Sequence, residues 1–373
     1  MTKPDAERIQ AAEIVLPGAE LDTTLRFFTE RLGFRVEAIF PADAPAVAVI
    51  AGHGLRIRLE RSGAGAPGVI RLKCRELAGG GARLTAPNGT VINLVDADPP
   101  IVLPTLQPSF VVSRIGDDAR WGVGRAGMRY RDLIPDRQGG RFIASHIVIP
   151  EGGPVPDYVH FHKIHFQMIY CRTGWVRVVY EDQGPAFVME AGDCVLQPPR
   201  IRHRVLESSP GLEVIEIGCP AEHETAADGA MSLPNSKIDP ASNFGGQRFV
   251  RHIAAQAVWR PWRLPGFECR DTGIAAATAG LADALVVRPR DTPASQSSRH
   301  DGELQFMFVL DGKLTLRADG QDGQALGSGD SFVIPAGMRH SLAECSDDLQ
   351  LLEVSLPDQV KAGARAQSRI TPG

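Results

Sequence analysis

The stretch "YVHFHKIHFQMIYCRTG" (158–174) places His160, His162 and His165 within six positions and follows them with Gln167. A further histidine, His203, stands 41 residues beyond His162, after the turn-forming run "QPPRIR". In an extended segment side chains alternate between faces, so His160 and His162 point the same way and His165 points the other. Two imidazoles from one strand and a third from a facing strand form a ligand set for one divalent transition metal. Neutral imidazole suits Fe(II), Ni, Cu or Zn, and suits Mg or Ca poorly; Mn is a further possibility. The same three rings could instead only hydrogen-bond inside a pocket. His165, with its opposite parity, is predicted to be a loop residue or a support rather than a ligand.

Such a set needs short alternating strands to hold it. "FIASHIVI", "WVRVVYE", "LQFMFVL" and "KLTLRAD" alternate in this way, and the 39 Gly and 28 Pro supply the turns between them. Closing a sheet of this kind leaves a mouth lined by inward side chains. The chain also repeats itself: "AGMRYRD" (126–132) returns as "PGFECRD" (265–271), and "GDCVLQPPRIRH" (192–203) returns as "GDSFVIPAGMRH" (329–340). Two copies of one unit therefore stand in tandem, over 109–220 and 245–358. Between them lies the polar linker "AEHETAADGAMSLPNSKIDPASNFGG", and a Pro-rich linker at 96–108 precedes the first copy. Residues 1–100 are organised differently. "LDTTLRFFTERLGF" carries Leu25, Phe28 and Leu32 at helical spacing between strand-like segments, which predicts a βαβββ module with an extra strand or so.

The tandem copies resemble the cupin family. Its first motif pairs an early glycine with HxH, an acidic slot and a later glycine, occupied here by Gly153, His160, His162, Gln167 and Gly174. Its second motif is matched by Gly192, Pro198 and His203, with Arg200 in place of the middle glycine. The resemblance implies a mainly β bicupin, two double-stranded β-helix jelly rolls, with a metal on His160, His162 and His203. Gln167 departs from the family's glutamate. An amide can coordinate weakly or orient bound water, but it is a poor base. Three His and one Gln would leave the ion's charge uncompensated, which favours an anionic or chelating substrate and Lewis-acid polarisation. In the second copy Ser298 replaces the first histidine, while His300, Gln305 and His340 persist, which predicts a degenerate, weakly occupied site. "LDTTLRFFTERLGFRVE" resembles a module of the vicinal oxygen chelate (glyoxalase-like) superfamily. Such modules work in pairs, so a structural or dimer-forming role and a homodimer are expected. Glu13 falls at that superfamily's first ligand position, and His53 is read as a turn residue.

Other polar residues are ambiguous by parity. Arg141 is a candidate substrate anchor; His146, of opposite parity on the same strand, competes with it for the mouth. Arg177 and Tyr180 cannot be assigned, Arg202 should point away from His203, and Trp121, Trp259 and Trp262 read as packing residues.

The 373 residues are 43% hydrophobic and 23% charged with a net charge of -4, an interspersed balance that offers no basic face for nucleic acid and no polybasic membrane tract. No signal-like N-terminus or membrane-length apolar run is seen, so a cytoplasmic location and small-molecule partners are expected. The six cysteines are scattered without a CxxC pair and read as reduced. Cupins with three histidines and no carboxylate resemble non-haem Fe(II) dioxygenases, which makes an oxygen-dependent dioxygenase of a small anionic or chelating compound the leading expectation. A metal-assisted isomerase or lyase and a non-catalytic ligand-binding bicupin are the alternatives.

Overall fold

The computed structural model describes residues 6–77, 81–116, 120–124, 127–291 and 296–357. Ala126 of the first repeat motif and Asp358, the last residue assigned to the second copy, lie outside them. The chain forms two compact units, Met1–Pro100 and Ile101–Gly373. No helix among the described residues is long and apolar enough to cross a membrane.

In the first unit Ile14–Pro17 runs parallel to Leu55–Glu60, which pairs with Val47–Gly52 and through it with Arg35–Phe40. The helix Leu21–Arg26 passes into a π-helical turn, Phe27–Arg31. Of the predicted stripe, Phe28 and Leu32 are buried in the core with Leu21 and Ile57, and Leu25 packs against it. Beyond this βαβββ arrangement lie three strands, in which Val69–Cys74 and Ala82–Thr85 flank Val91–Asp96. Glu13 accepts a hydrogen bond from Arg56 (2.9 Å). His53 sits in a left-handed turn with its Nε2 against the Leu32 carbonyl (2.6 Å).

The second unit is mainly β, and each repeat copy builds two facing sheets. The first copy's larger sheet contains Ile143–Ile149, Phe166–Thr173 and Leu212–Cys219; its smaller sheet contains His160–Lys163, Trp175–Tyr180 and His203–Ser208. Its interior is lined from both, by Ile147, Cys171 and Val214 on one side and Val176, Val178 and Met189 on the other. The second copy follows the same plan with Asp283–Pro289, Leu304–Asp311 and Gln350–Leu356 opposite Lys313–Ala318 and His340–Ala343.

The larger sheets of the two copies share one core, drawn from Phe142, Phe166 and Ile217 and from Phe306, Phe308 and Val354. That sharing explains why "LQFMFVL" is apolar at nearly every position. Leu304–Leu310 is buried on both faces, one toward the copy's own interior and one toward its twin. Two strands cross the repeat boundary. Val111–Ser113, at the start of the first copy, pairs with Ser331–Val333 of the second, and Val250–His252, at the start of the second, pairs with Cys194–Leu196 of the first. Each larger sheet thus has an edge capped by the other copy's leading segment.

Candidate metal centre

The site is set by strand register. His160 lies directly opposite His203, which lies opposite Tyr180, so three residues form a row across three strands. His162, two residues on, falls on the same face as His160. The turn before His203 carries Arg200 at φ 66°, where the second copy has Gly337 at φ 82°. A non-glycine residue in that region costs about 1 kcal/mol or more. The turn is closed by the Arg200 amide donating to the His162 carbonyl (2.9 Å), which ties both histidine segments together.

The ligand atoms of His160, His162 and His203 lie within 4.8 Å of one another. Ring centroids are 4.3 Å apart for His160 and His203, and 5.2 Å for each remaining pair. His160 and His203 are buried, 0% and 5% exposed. Nδ1 of His160 donates to the Tyr158 carbonyl (2.8 Å) and Nδ1 of His203 to the Ile201 carbonyl (3.0 Å). A carbonyl only accepts, so in both rings the proton sits on Nδ1 and Nε2 carries the lone pair that a metal could use. His162 Nδ1 is 2.8 Å from the Thr225 hydroxyl, which accepts from it when Nε2 coordinates. Orientation of each ring through its second nitrogen is the arrangement that metal-ligating histidines require.

Gln167 is 1% exposed and donates through Nε2 to Glu216 Oε1 (2.6 Å). Its Oε1 is buried without a hydrogen-bond partner. Gln197 repeats the pattern: it is 1% exposed, its Nε2 donates to the Tyr180 hydroxyl (2.9 Å), and its Oε1 lacks a partner. Burial pushes the Tyr180 phenol well above its usual value, so it stays neutral, and its ring stacks on His203 at 5.4 Å. Both glutamines, the three histidines, Glu216 and His223 form the polar end of a cavity of about 250 Å³. Ile147, Ile169, Val176, Val178, Met189 and Val214 are among its apolar walls, and among the described residues no Arg or Lys lines it.

The second copy shows what the same frame looks like without a centre. His300 Nε2 is turned onto the Ile334 carbonyl (2.7 Å), and His340 Nε2 meets the Ser298 hydroxyl (3.2 Å). Gln305 donates to Glu353 (2.9 Å) as Gln167 does to Glu216, but Glu353 is also gripped by both terminal nitrogens of Arg263 (2.6 and 2.5 Å) and by the Trp262 indole N–H (3.3 Å). Trp262, Phe267, Met307 and Phe332 fill the interior. The equivalent carboxylate of the first copy, Glu216, takes part in no ion pair found among the described residues. Three imidazoles within 4.8 Å of one another, in a cavity that also holds Glu216, make a donor set that fits a divalent cation, whereas the second copy offers two imidazoles and pairs its carboxylate with Arg263.

Arg141, expected near the mouth, is elsewhere. Its guanidinium pairs with Glu303 (2.6 Å) and donates to the Pro104 carbonyl (3.1 Å), because that end of its strand packs against the second copy. His165 points away from the cavity, and burial holds its pKa below the usual value. His146 lies between the copies, its Nε2 against Glu213 (2.8 Å) and its ring edge-on to Phe308. Arg177 pairs with Glu207, Arg202 with Asp228, and the guanidinium groups of Arg129, Arg288 and Arg263 cover Trp121, Trp259 and Trp262. Sequence reasoning did not single out Glu216, Gln197, Thr225 or His223. Glu216 carried a signal, since "LEVIEIG" and "LQLLEVSL" align with Glu216 over Glu353. Thr225 and His223 carried none, as they lie in the segment taken for a linker.

Residues 285–355 match the family model described as Cupin domain. That span lies in the second copy, so the strand framework and not the histidine cluster carries the match. An oxalate decarboxylase variant from B. subtilis is similar in structure, with a TM-score of 0.50 at 12% identity, over 73% of this chain and 85% of that one. The fold is that of a bicupin. A second structure, protein Ylba from E. coli, is similar to this bicupin with a TM-score of 0.50 at 10% identity, over 68% of this chain and 93% of that one. No curated protein matches the chain.

Proposed function

We propose that the first cupin holds one divalent transition metal on His160, His162 and His203, and that the protein is an oxygen-dependent dioxygenase of a small, enolisable chelator, with Fe(II) as the working ion. The observation that carries this reading is the trio of Nε2 ligands beside the unsatisfied Gln167 amide, at the polar end of an otherwise apolar cavity. When bound, the metal supplies Lewis-acid polarisation of the substrate's oxygens and, as Fe(II), the electrons for reaction with O2. Gln167 Oε1 orients a hydroxyl or water at the centre. Glu216, fixed by Gln167 Nε2, accepts the proton released as the substrate enolises. The apolar walls take the substrate's body and exclude water, which strengthens the polar interactions at the other end.

Charge narrows the substrate. The three histidines and Gln167 are neutral, so a divalent ion with ionised Glu216 carries one positive charge, and a neutral enol or phenol that passes its proton to Glu216 becomes a monoanion on the ion without changing that total. A small dicarboxylate fits less well, because no Arg or Lys among the described residues lines the cavity to receive a second carboxylate. Glu216 favours one further reading, a metal-assisted isomerase or lyase, since a base beside a Lewis acid can shift a proton without oxygen. The order of strands around Leu55–Glu60 supports the vicinal-oxygen-chelate reading of the first unit, and exposed Ile14, Val15, Val36 and Phe40 support its role in pairing two chains.

Metal analysis of the purified protein, then oxygen uptake by the Fe(II)-loaded protein with diketones, catechols, keto acids and thiols, tests the proposal. Stoichiometric iron with uptake on a chelating substrate is expected. Zinc retention with substrate turnover but no oxygen uptake overturns the dioxygenase in favour of the isomerase or lyase, and absence of any metal affinity overturns both.

A further inference from the structure

The segment joining the two cupins is built into the site. Its strand Glu224–Ala227 pairs with His160–Lys163, setting Thr225 opposite His162 and Ala227 opposite His160. It is pinned on both sides, by the Ala221 amide on the Gly140 carbonyl (3.0 Å), the Asp228 amide on the Val159 carbonyl (2.9 Å) and the Arg202–Asp228 ion pair (3.1 Å). This anchoring places His223 at the cavity's edge, its ring edge-on to His162 at 5.3 Å. His223 Nδ1 is 3.1 Å from the Pro220 carbonyl. A carbonyl can only accept, so Nδ1 carries the proton and Nε2 presents a lone pair.

The polar end therefore holds an excess of acceptors. Gln167 Oε1 and Gln197 Oε1 are buried without partners, each on a side chain 1% exposed, and His223 Nε2 adds a third at the rim. The Gln167 amide is fixed, because its Nε2 donates to a carboxylate oxygen of Glu216 that can only accept, so its Oε1 stays turned to the cavity; the Tyr180 hydroxyl can donate as well as accept and holds Gln197 in either sense. A buried acceptor left unpaired is costly, and a hydroxyl-bearing ligand would satisfy it. We infer that the substrate is a compact polyhydroxylated aromatic or enolic chelator, with hydroxyl groups beyond the chelating pair, and that His223 is the specificity-determining residue that accepts from one of them. This rests on the metal-centre reading above and adds to it the substrate's donor pattern.

The test compares catechol with pyrogallol, which differ by one hydroxyl beside the chelating pair, by calorimetric titration into the zinc-loaded protein without oxygen. Wild type should bind pyrogallol about tenfold more tightly, the worth of one net hydrogen bond to a buried acceptor. His223→Phe should bind both at the catechol level while retaining one zinc per chain, and His223→Gln, which keeps an acceptor, should recover part of the preference. Equal affinities in wild type, or a preference that survives in His223→Phe, overturns the inference with the metal reading intact. Loss of zinc in His223→Phe makes His223 a ligand and also overturns it. Failure of wild type to bind zinc or Fe(II) instead sinks the centre itself.

Discussion

The two copies hold the same Gln–Glu pair in different company, so removing the carboxylate should have opposite consequences in each. Glu353 is 3% exposed and accepts from Gln305, Trp262 and both ends of Arg263. Breaking a buried pair by deleting one partner costs about 3–5 kcal/mol. The Arg263 side chain is 41% exposed and can partly resolvate, which moves Glu353→Gln toward about 2–3 kcal/mol. Glu216 accepts from Gln167 alone among the described hydrogen bonds, and an amide at 216 can still pair with Gln167. Glu216→Gln should therefore change the stability of the metal-free protein by less than about 1 kcal/mol. Its effect should fall on the metal, with affinity lower by about 10–100-fold, as for other residues that act through the shell around a centre. Urea denaturation of the metal-free proteins measures the first quantity and chelator competition the second. Equal destabilisation by the two variants, or unchanged metal affinity in Glu216→Gln, would refute the argument that a cation belongs beside Glu216.

Further outcomes follow from other parts of the molecule. His162→Ala should abolish metal retention while His300→Ala leaves it intact, because His300 is already spent on the Ile334 carbonyl; metal content of the two purified variants decides this. Arg141→Ala should cost about 2–3 kcal/mol by stranding Glu303 in a half-closed site, with no change in metal affinity, as read by urea midpoint and chelator competition. Burial holds His146, His252, His300 and His340 below their ordinary pKa of 6.5. The unfolded chain therefore binds more protons than the folded one as pH falls through 6.5, so stability is full above that value and declines below it until the folded-state values are passed. Urea midpoints that stay flat from about pH 7.5 to 5.5 would contradict this.

The parts of the site legible in the sequence were those fixed by local geometry. His160 and His162 share a face because strand periodicity is two, and the run before His203 forms the turn that returns it, though to the neighbouring strand of the same sheet and not to a facing one. Arg200 shows the limit of motif matching: the backbone keeps the left-handed turn where the motif's glycine is gone. Parity could not assign Arg141 or His146, because the outward face of that strand is not solvated but buried against the second copy, where polar groups find partners instead of water. The same problem hid Glu216. Glu213 and Glu216 have opposite parity on one strand, and only knowledge of which face looks inward separates Glu213, committed to His146 and Arg172, from Glu216. His223 and Thr225 lie in a stretch whose composition spells loop, and their strand exists only by docking on the edge of His160–Lys163, where tertiary pairing overrides weak local preference.

Duplication explains why one copy could keep an open, largely apolar interior while the other fills it. The larger sheets are locked together by a common core and by exchanged edge strands, so the stability of that core does not depend on the interior of either smaller sheet. The second copy uses that freedom to fill its interior with Trp262, Phe267 and Phe332 and to neutralise Glu353 with Arg263. The first copy leaves its interior open, and the unsatisfied amide oxygen of Gln167, matched by that of Gln305 in the second copy, is a local cost that persists because the shared core over-determines the surrounding strands. An Arg263→Ala variant should therefore strand Glu353 without creating a second centre, since Ser298 supplies no imidazole and His300 is turned onto the backbone. Metal titration of that variant should still give one ion per chain, and a second equivalent would show that the missing cation, and not the missing ligands, is what separates the copies.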